Sequence, residues 1–147
     1  MYTRFEPTHS TDTSRIYVVE GDEVVRSALQ FILDSHGETR GFASLDPAFA
    51  DPADLAPDIV LLGIGLLENG GERILIEIAR HWPGTKILIV ANSVNDQLAR
   101  SSLKWGAHDV LGRPITFDGV RGKVDALLED HAISPTLIAL LPLSAAW

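Results

Sequence analysis

The feature that most constrains this chain is its alternation between short β-branched runs and stretches of helical period. Arg15-Ile16-Tyr17-Val18-Val19 reads as a buried strand, stopped by the acidic turn Glu20-Gly21-Asp22. Val24, Ala28, Phe31 and Ile32 then recur at helical spacing, and His36-Gly37 closes that helix. Residues 39–42 suit a short second strand, and residues 47–55 a weak helix between Pro47 and Pro57. Asp58-Ile59-Val60-Leu61-Leu62, followed by Gly63, is apolar on both faces, as a central parallel strand must be. Ile74, Leu75, Ile78 and Ala79 form the apolar face of a helix over residues 72–81, which Pro83-Gly84 ends. A fourth strand over 86–91 precedes a helix over 95–105, stopped by Gly106. A brief fifth strand over 109–111 leads through Gly112-Arg113-Pro114 into a last helix with the stripe Phe117, Val120, Val124, Leu127 and Leu128, ending near Asp130. Five strand–helix units in strict alternation predict an α/β fold, a parallel sheet with helices on both faces.

Composition narrows the function classes. At 147 residues and 46% hydrophobic, the chain suits one domain with its own core. The absence of cysteine excludes disulfides and zinc–thiolate sites, and fits a reducing, cytoplasmic setting. A net charge of −8 argues against binding a nucleic-acid backbone. No run reaches the roughly 18 apolar residues of a membrane span, so no membrane role is expected. The expected organisation is a flexible polar leader over 1–14, one domain over 15–131 and an apolar tail over 132–147. Segment 134–143, Ser-Pro-Thr-Leu-Ile-Ala-Leu-Leu-Pro-Leu, is expected to pack against protein, and Pro135 and Pro142 argue against one long helix there.

In parallel sheets the functional crevice lies outside the carboxyl ends of the strands. Those ends are Glu20-Gly21-Asp22, Gly63, Ala91-Asn92-Ser93 and Gly112-Arg113-Pro114. With these in place, the stretches IYVVEGDEVVRSALQFILDSHG, PDIVLLGIGLLENGG and KILIVANSVNDQLARSSLKWGAHDVLGRPI resemble the receiver domains of bacterial response regulators in two-component systems and phosphorelays. The resemblance implies a flavodoxin-like fold, with strand order 2-1-3-4-5 and five helices, and a cis peptide before Pro114. It also implies a phosphorylation pocket, and there the chain departs from the family. The paired acids that hold magnesium fall on Glu20 and Gly21, so one carboxylate is lengthened and the other is missing. The phosphoryl-accepting aspartate falls on Gly63, and no Asp lies between Asp58 and Asp96. The hydroxyl residue after the fourth strand is Ala91, the switch aromatic is Val110, and the lysine before Pro114 is Arg113. The segment after the acceptor is altered to Leu67-Glu68-Asn69-Gly70 before Gly71.

These departures point to a pseudo-receiver that is independent of phosphorylation and acts as a protein-interaction or dimerisation module. The expected contact face is the fourth helix, fifth strand and fifth helix, with Trp105, Val110 and Phe117 as candidates, and the expected partner is a signalling protein or a second copy. The alternative is a small-ligand sensor using the emptied pocket. No nucleophile–base pair suggests an enzyme, and no cofactor is expected. Glu20 and Asp22 are the weak candidates for a metal, but acids also favour a helix N-terminus through the helix dipole, so no metal site is assigned. The five histidines are scattered without ligand spacing. Arg113 either pairs with Glu20 or lies exposed.

Overall fold

The computed structural model describes residues 14–52 and 55–129. The elements, in chain order, are β1 (Ser14–Val19), α1 (Glu23–Leu33), β2 (Gly37–Phe42), α2 (Leu45–Phe49), β3 (Ile59–Gly63), α3 (Ile64–Gly70), α4 (Glu72–His81), β4 (Lys86–Val90), α5 (Gln97–Ser102) with a 3-10 turn over Leu103–Trp105, and β5 (Asp109–Leu111). A last helix, α6, covers residues 117–129. The sheet is parallel throughout, in the order β2-β1-β3-β4-β5. This is the expected topology, with six helices in place of five.

The extra helix is α3, over residues that the pattern left outside any helix, and Gly71 separates it from α4. There the backbone takes φ 66° and ψ −156°, a region essentially confined to glycine, and the chain changes direction between α3 and α4. The short helix α2 also begins earlier than expected, after Ser44 at its N-cap. Pro47 falls in its first turn, where a missing N–H costs nothing.

Alternation along the strands splits the core into two layers. Tyr17, Val19, Val60, Leu62, Ile87, Ile89 and Val110 face α2 to α5 and pack with Leu67, Leu75, Ile78 and Ala99. Ile16, Val18, Ile59, Leu61, Leu88, Val90 and Leu111 face the opposite way, onto Val25, Leu29, Ile32 and Leu33 of α1 and Val120 and Val124 of α6. The inward stripe of α1 is therefore not the one its spacing suggested. Ile32 is buried, but Val24 and Phe31 are 78% and 73% exposed, on the outer side of the helix. Two apolar stripes run along one helix, and spacing alone does not say which faces the sheet. The expected leader, apart from Ser14, and the whole of the expected tail lie outside the described residues.

Candidate functional site

Parallel register sets the strand ends side by side. Val19 pairs with Leu62, Gly63 with Val90, and Val90 with Leu111. The residues following these strands therefore meet at one rim of the sheet, as the alternation pattern implied.

At that rim Glu20 is fixed from several directions. Its N–H donates to the Phe42 carbonyl at 2.9 Å, and its own carbonyl accepts from Arg26 Nη1 at 2.7 Å. Its carboxylate Oε2 accepts from the Asp22 N–H at 2.9 Å. The side chain thereby lies over Gly63. A Cβ built on Gly63 would sit 2.7 Å from Glu20 Cδ and 3.0 Å from Oε2, well inside contact distance. The place where a side chain at Gly63 would begin is thus filled by the carboxylate of the residue that follows the neighbouring strand.

The other positions add little oxygen to the rim. Gly21 is exposed, and a Cβ there would meet only the Ala43 carbonyl at 3.8 Å, so the space admits a side chain that the residue lacks. Asp22 caps α1, its Oδ1 accepting from the N–H groups of Val24 at 2.9 Å and Val25 at 3.2 Å. Ala91 is buried and joins the core on the α2 to α5 side, while its N–H donates to the Leu111 carbonyl at 2.9 Å. Among the described residues no three His, Asp or Glu side chains converge on a metal position. The donor set does not fit the magnesium ion that the resemblance implies, because the carboxylate of Asp22 serves the helix cap and Glu20 stands alone.

Arg113 is exposed, with its N–H donating to the Asn92 carbonyl at 3.3 Å, and the peptide joining it to Pro114 is cis. Among the described residues it forms no ion pair with Glu20. Of the two readings offered for Arg113, exposure is the one the structure has. The pocket is covered by Glu20 without help from the arginine.

The three interface candidates do not share a surface. Val110 is 3% exposed and belongs to the core, so it offers nothing to a partner. Trp105 is half-buried against the same core layer. Phe117 is 46% exposed but turns toward α1, where its ring meets Phe31 edge-on, with centroids 6.1 Å apart. The sequence did not reveal the overlap of Glu20 with Gly63. The available signal was a size exchange, a longer acid on one strand end beside a residue with no side chain on the next.

Comparison with known proteins agrees with the fold. Residues 16–125 match the response regulator receiver domain family. The transcriptional regulatory protein KdpE of Staphylococcus aureus is 26% identical over 113 residues, 76% of this chain and 48% of that protein. The regulatory protein AtoC of Escherichia coli is 27% identical over 139 residues, 93% of this chain and 30% of that protein. The chain thus spans half or less of these curated relatives. The receiver domain of NtrX from Brucella abortus superposes with a TM-score of 0.68 at 30% identity, covering 78% of this chain and 98% of that domain.

Proposed function

This chain belongs to the response regulator receiver domain family, and from that premise we propose that it is a receiver that takes up no phosphoryl group and signals through protein contacts. The observation that carries the reading is the pairing of Gly63 at the end of β3 with the Glu20 carboxylate lying over it. Phosphoryl transfer needs an in-line oxygen nucleophile, a cation to spread charge and donors to the equatorial oxygens. Gly63 supplies no nucleophile, Glu20 is a single carboxylate, and the Ala91 methyl donates nothing. Arg113 is the remaining charge, and it points to no partner carboxylate among the described residues.

The relatives support a signalling role, since KdpE and AtoC are both named as regulators. Among the described residues no helix is long and apolar enough to cross a membrane. The proposed contact face is α5, β5 and α6, where Trp105 stands half-exposed and Lys123 of α6 pairs with Asp109 of β5 at 3.0 Å. Its proposed occupant is a signalling protein or a second copy. A ligand-sensing role in the emptied pocket is less well supported, because the Glu20 carboxylate takes the space that Gly63 leaves.

The test is incubation with a small acyl-phosphate donor and magnesium, read by intact-mass spectrometry. The expected result is an unmodified chain. A stable phosphoryl adduct mapped to Glu20 or Asp22 would overturn the reading.

A further inference from the structure

The outer stripe of α1 belongs to a larger surface. Among the described residues six large hydrophobic side chains are exposed, and three of them, Val24, Phe31 and Phe117, gather on the face shared by α1 and α6. The edge-on contact between Phe31 and Phe117 makes that surface continuous across the two helices. Beside it Val24, Val25, Ala28, Arg113, Pro114 and Ile115 line an open groove of about 520 Å³. Of the other exposed hydrophobics, Ile76 lies on α4 and Leu55 and Val94 lie in loops. A contiguous apolar face of this kind is normally covered by something.

The chain's own continuation fits it. Helix α6 runs along the face, and His36 Nε2 lies 2.6 Å from Asp125 Oδ1, which places the far end of α6 beside the end of α1. From there the sequence continues into residues 132–147, which carry no charged side chain and place Leu137, Ile138, Leu140, Leu141 and Leu143 close together. The 13 residues of α6 span roughly 20 Å at about 1.5 Å each. An extended chain covers about 3.3 Å per residue, so a reversal of about six residues retraces the helix, and segment 134–143 is long enough. Tethering also raises the effective concentration of the segment at the face without any further contact.

We propose that the apolar face of Val24, Ala28, Phe31, Ile115 and Phe117 is the docking site of the chain's own segment 134–143. A partner directed to this face must then displace the segment.

The absence of cysteine makes the test clean, since Ala139→Cys in the full chain gives a single attachment point for a nitroxide. The expected result is paramagnetic broadening of the amide signals of Val24, Ala28, Phe31, Ile115 and Phe117, with Leu66 and Ile74 on the other layer unaffected. Adding Leu140→Asp with Leu141→Asp in the segment, or Phe31→Ser on the face, should restore those signals while the rest of the spectrum keeps its dispersion. Phe31 is exposed, so its replacement leaves the core intact. Absence of broadening, or equal broadening on both layers, would overturn the proposal. So would broadening in a mixture of isotope-labelled chain with spin-labelled, unenriched chain, because the occupant would then be a second copy.

Discussion

Glu20 and Gly63 share the space of one side chain at the rim of the sheet. The sequence offered singly each departure that the resemblance implies: the lengthened acid at Glu20, the missing side chains at Gly21 and Gly63, the methyl at Ala91. It did not show that the first fills the third, because the direction of a side chain after a strand depends on the folded backbone around it, here on the Asp22 N–H that holds the Glu20 carboxylate and on Arg26, which holds the Glu20 carbonyl. The replacement Gly63→Asp tests the pair. Its Cβ would overlap the Glu20 carboxylate, which is the far end of a flexible side chain and can rotate into solvent. The fold should survive at a cost of about 1 kcal/mol, the usual loss for one hydrogen bond, here the one from Asp22 N–H. Labelling by an acyl-phosphate donor should remain weak, because Gly21 and Ala91 are still deficient. It should rise clearly when Gly21→Asp and Ala91→Thr are added. Full labelling of the single variant by mass spectrometry would show that those two positions do not limit the chemistry.

Among the elements, β1, β3, β4 and β5 were legible as short apolar runs bounded by Gly, Pro or acidic turns, whereas β2, Gly-Glu-Thr-Arg-Gly-Phe, is mostly polar and begins at Gly37, two residues before the strand read from the pattern. The helices were less legible. Helix α1 carries apolar residues on two faces, and only burial distinguishes Leu29, which the sheet covers, from Phe31, which it does not. The segment after β3 was read as one helix beginning at Glu72, yet Ile64–Gly70 is helical too. It carries two glycines inside it, a composition that argues for a loop until tertiary packing of Leu67 overrides it. The break between α3 and α4 yields a paired prediction. Nothing lies within 4 Å of a Cβ built at Gly71 or at Gly65, so neither replacement is a matter of space. Gly71→Ala should destabilise by about 1–3 kcal/mol, because alanine is strained at φ 66°, ψ −156°. Gly65→Ala, within helical backbone, should stabilise by up to about 1 kcal/mol. Denaturant titrations of the two variants would decide it. Equal effects would mean that the backbone at Gly71 relaxes without cost.

On the scale of the molecule, the strand order followed from alternation and the receiver resemblance, but the tie that closes the β2 edge did not. Tyr17 is 3% exposed, and its ring meets Phe42 at 5.1 Å and Trp82 at 5.4 Å between centroids. Its hydroxyl donates to Asp51 Oδ2 at 2.5 Å, and Asp51 also pairs with Arg40 of β2 at 3.1 Å. One phenol thus links β1 to the segment after α2, and nothing in the spacing of Tyr17 and Asp51 foretold it. Burial raises the Tyr17 pKa above its ordinary value of 10.0, and the hydrogen bond and the negative charge of Asp51 raise it further, against an opposing pull from Arg15. The folded state therefore holds the phenol proton more tightly than the unfolded chain does. The stability that this supplies is fully present below pH 10.0 and is lost as pH rises through the folded value. A small domain unfolds as one cooperative unit, so the loss should appear in the melting of the whole chain. Tyr17→Phe should cost about 1–3 kcal/mol at neutral pH, as removal of a hydrogen bond to a charged acceptor does. Lysine deprotonation weakens both proteins in alkali, so the informative quantity is the difference between them. That difference should shrink steadily as pH is raised above 10.0, whereas a constant gap in thermal melts would show that the Tyr17–Asp51 contact does not carry the alkaline sensitivity.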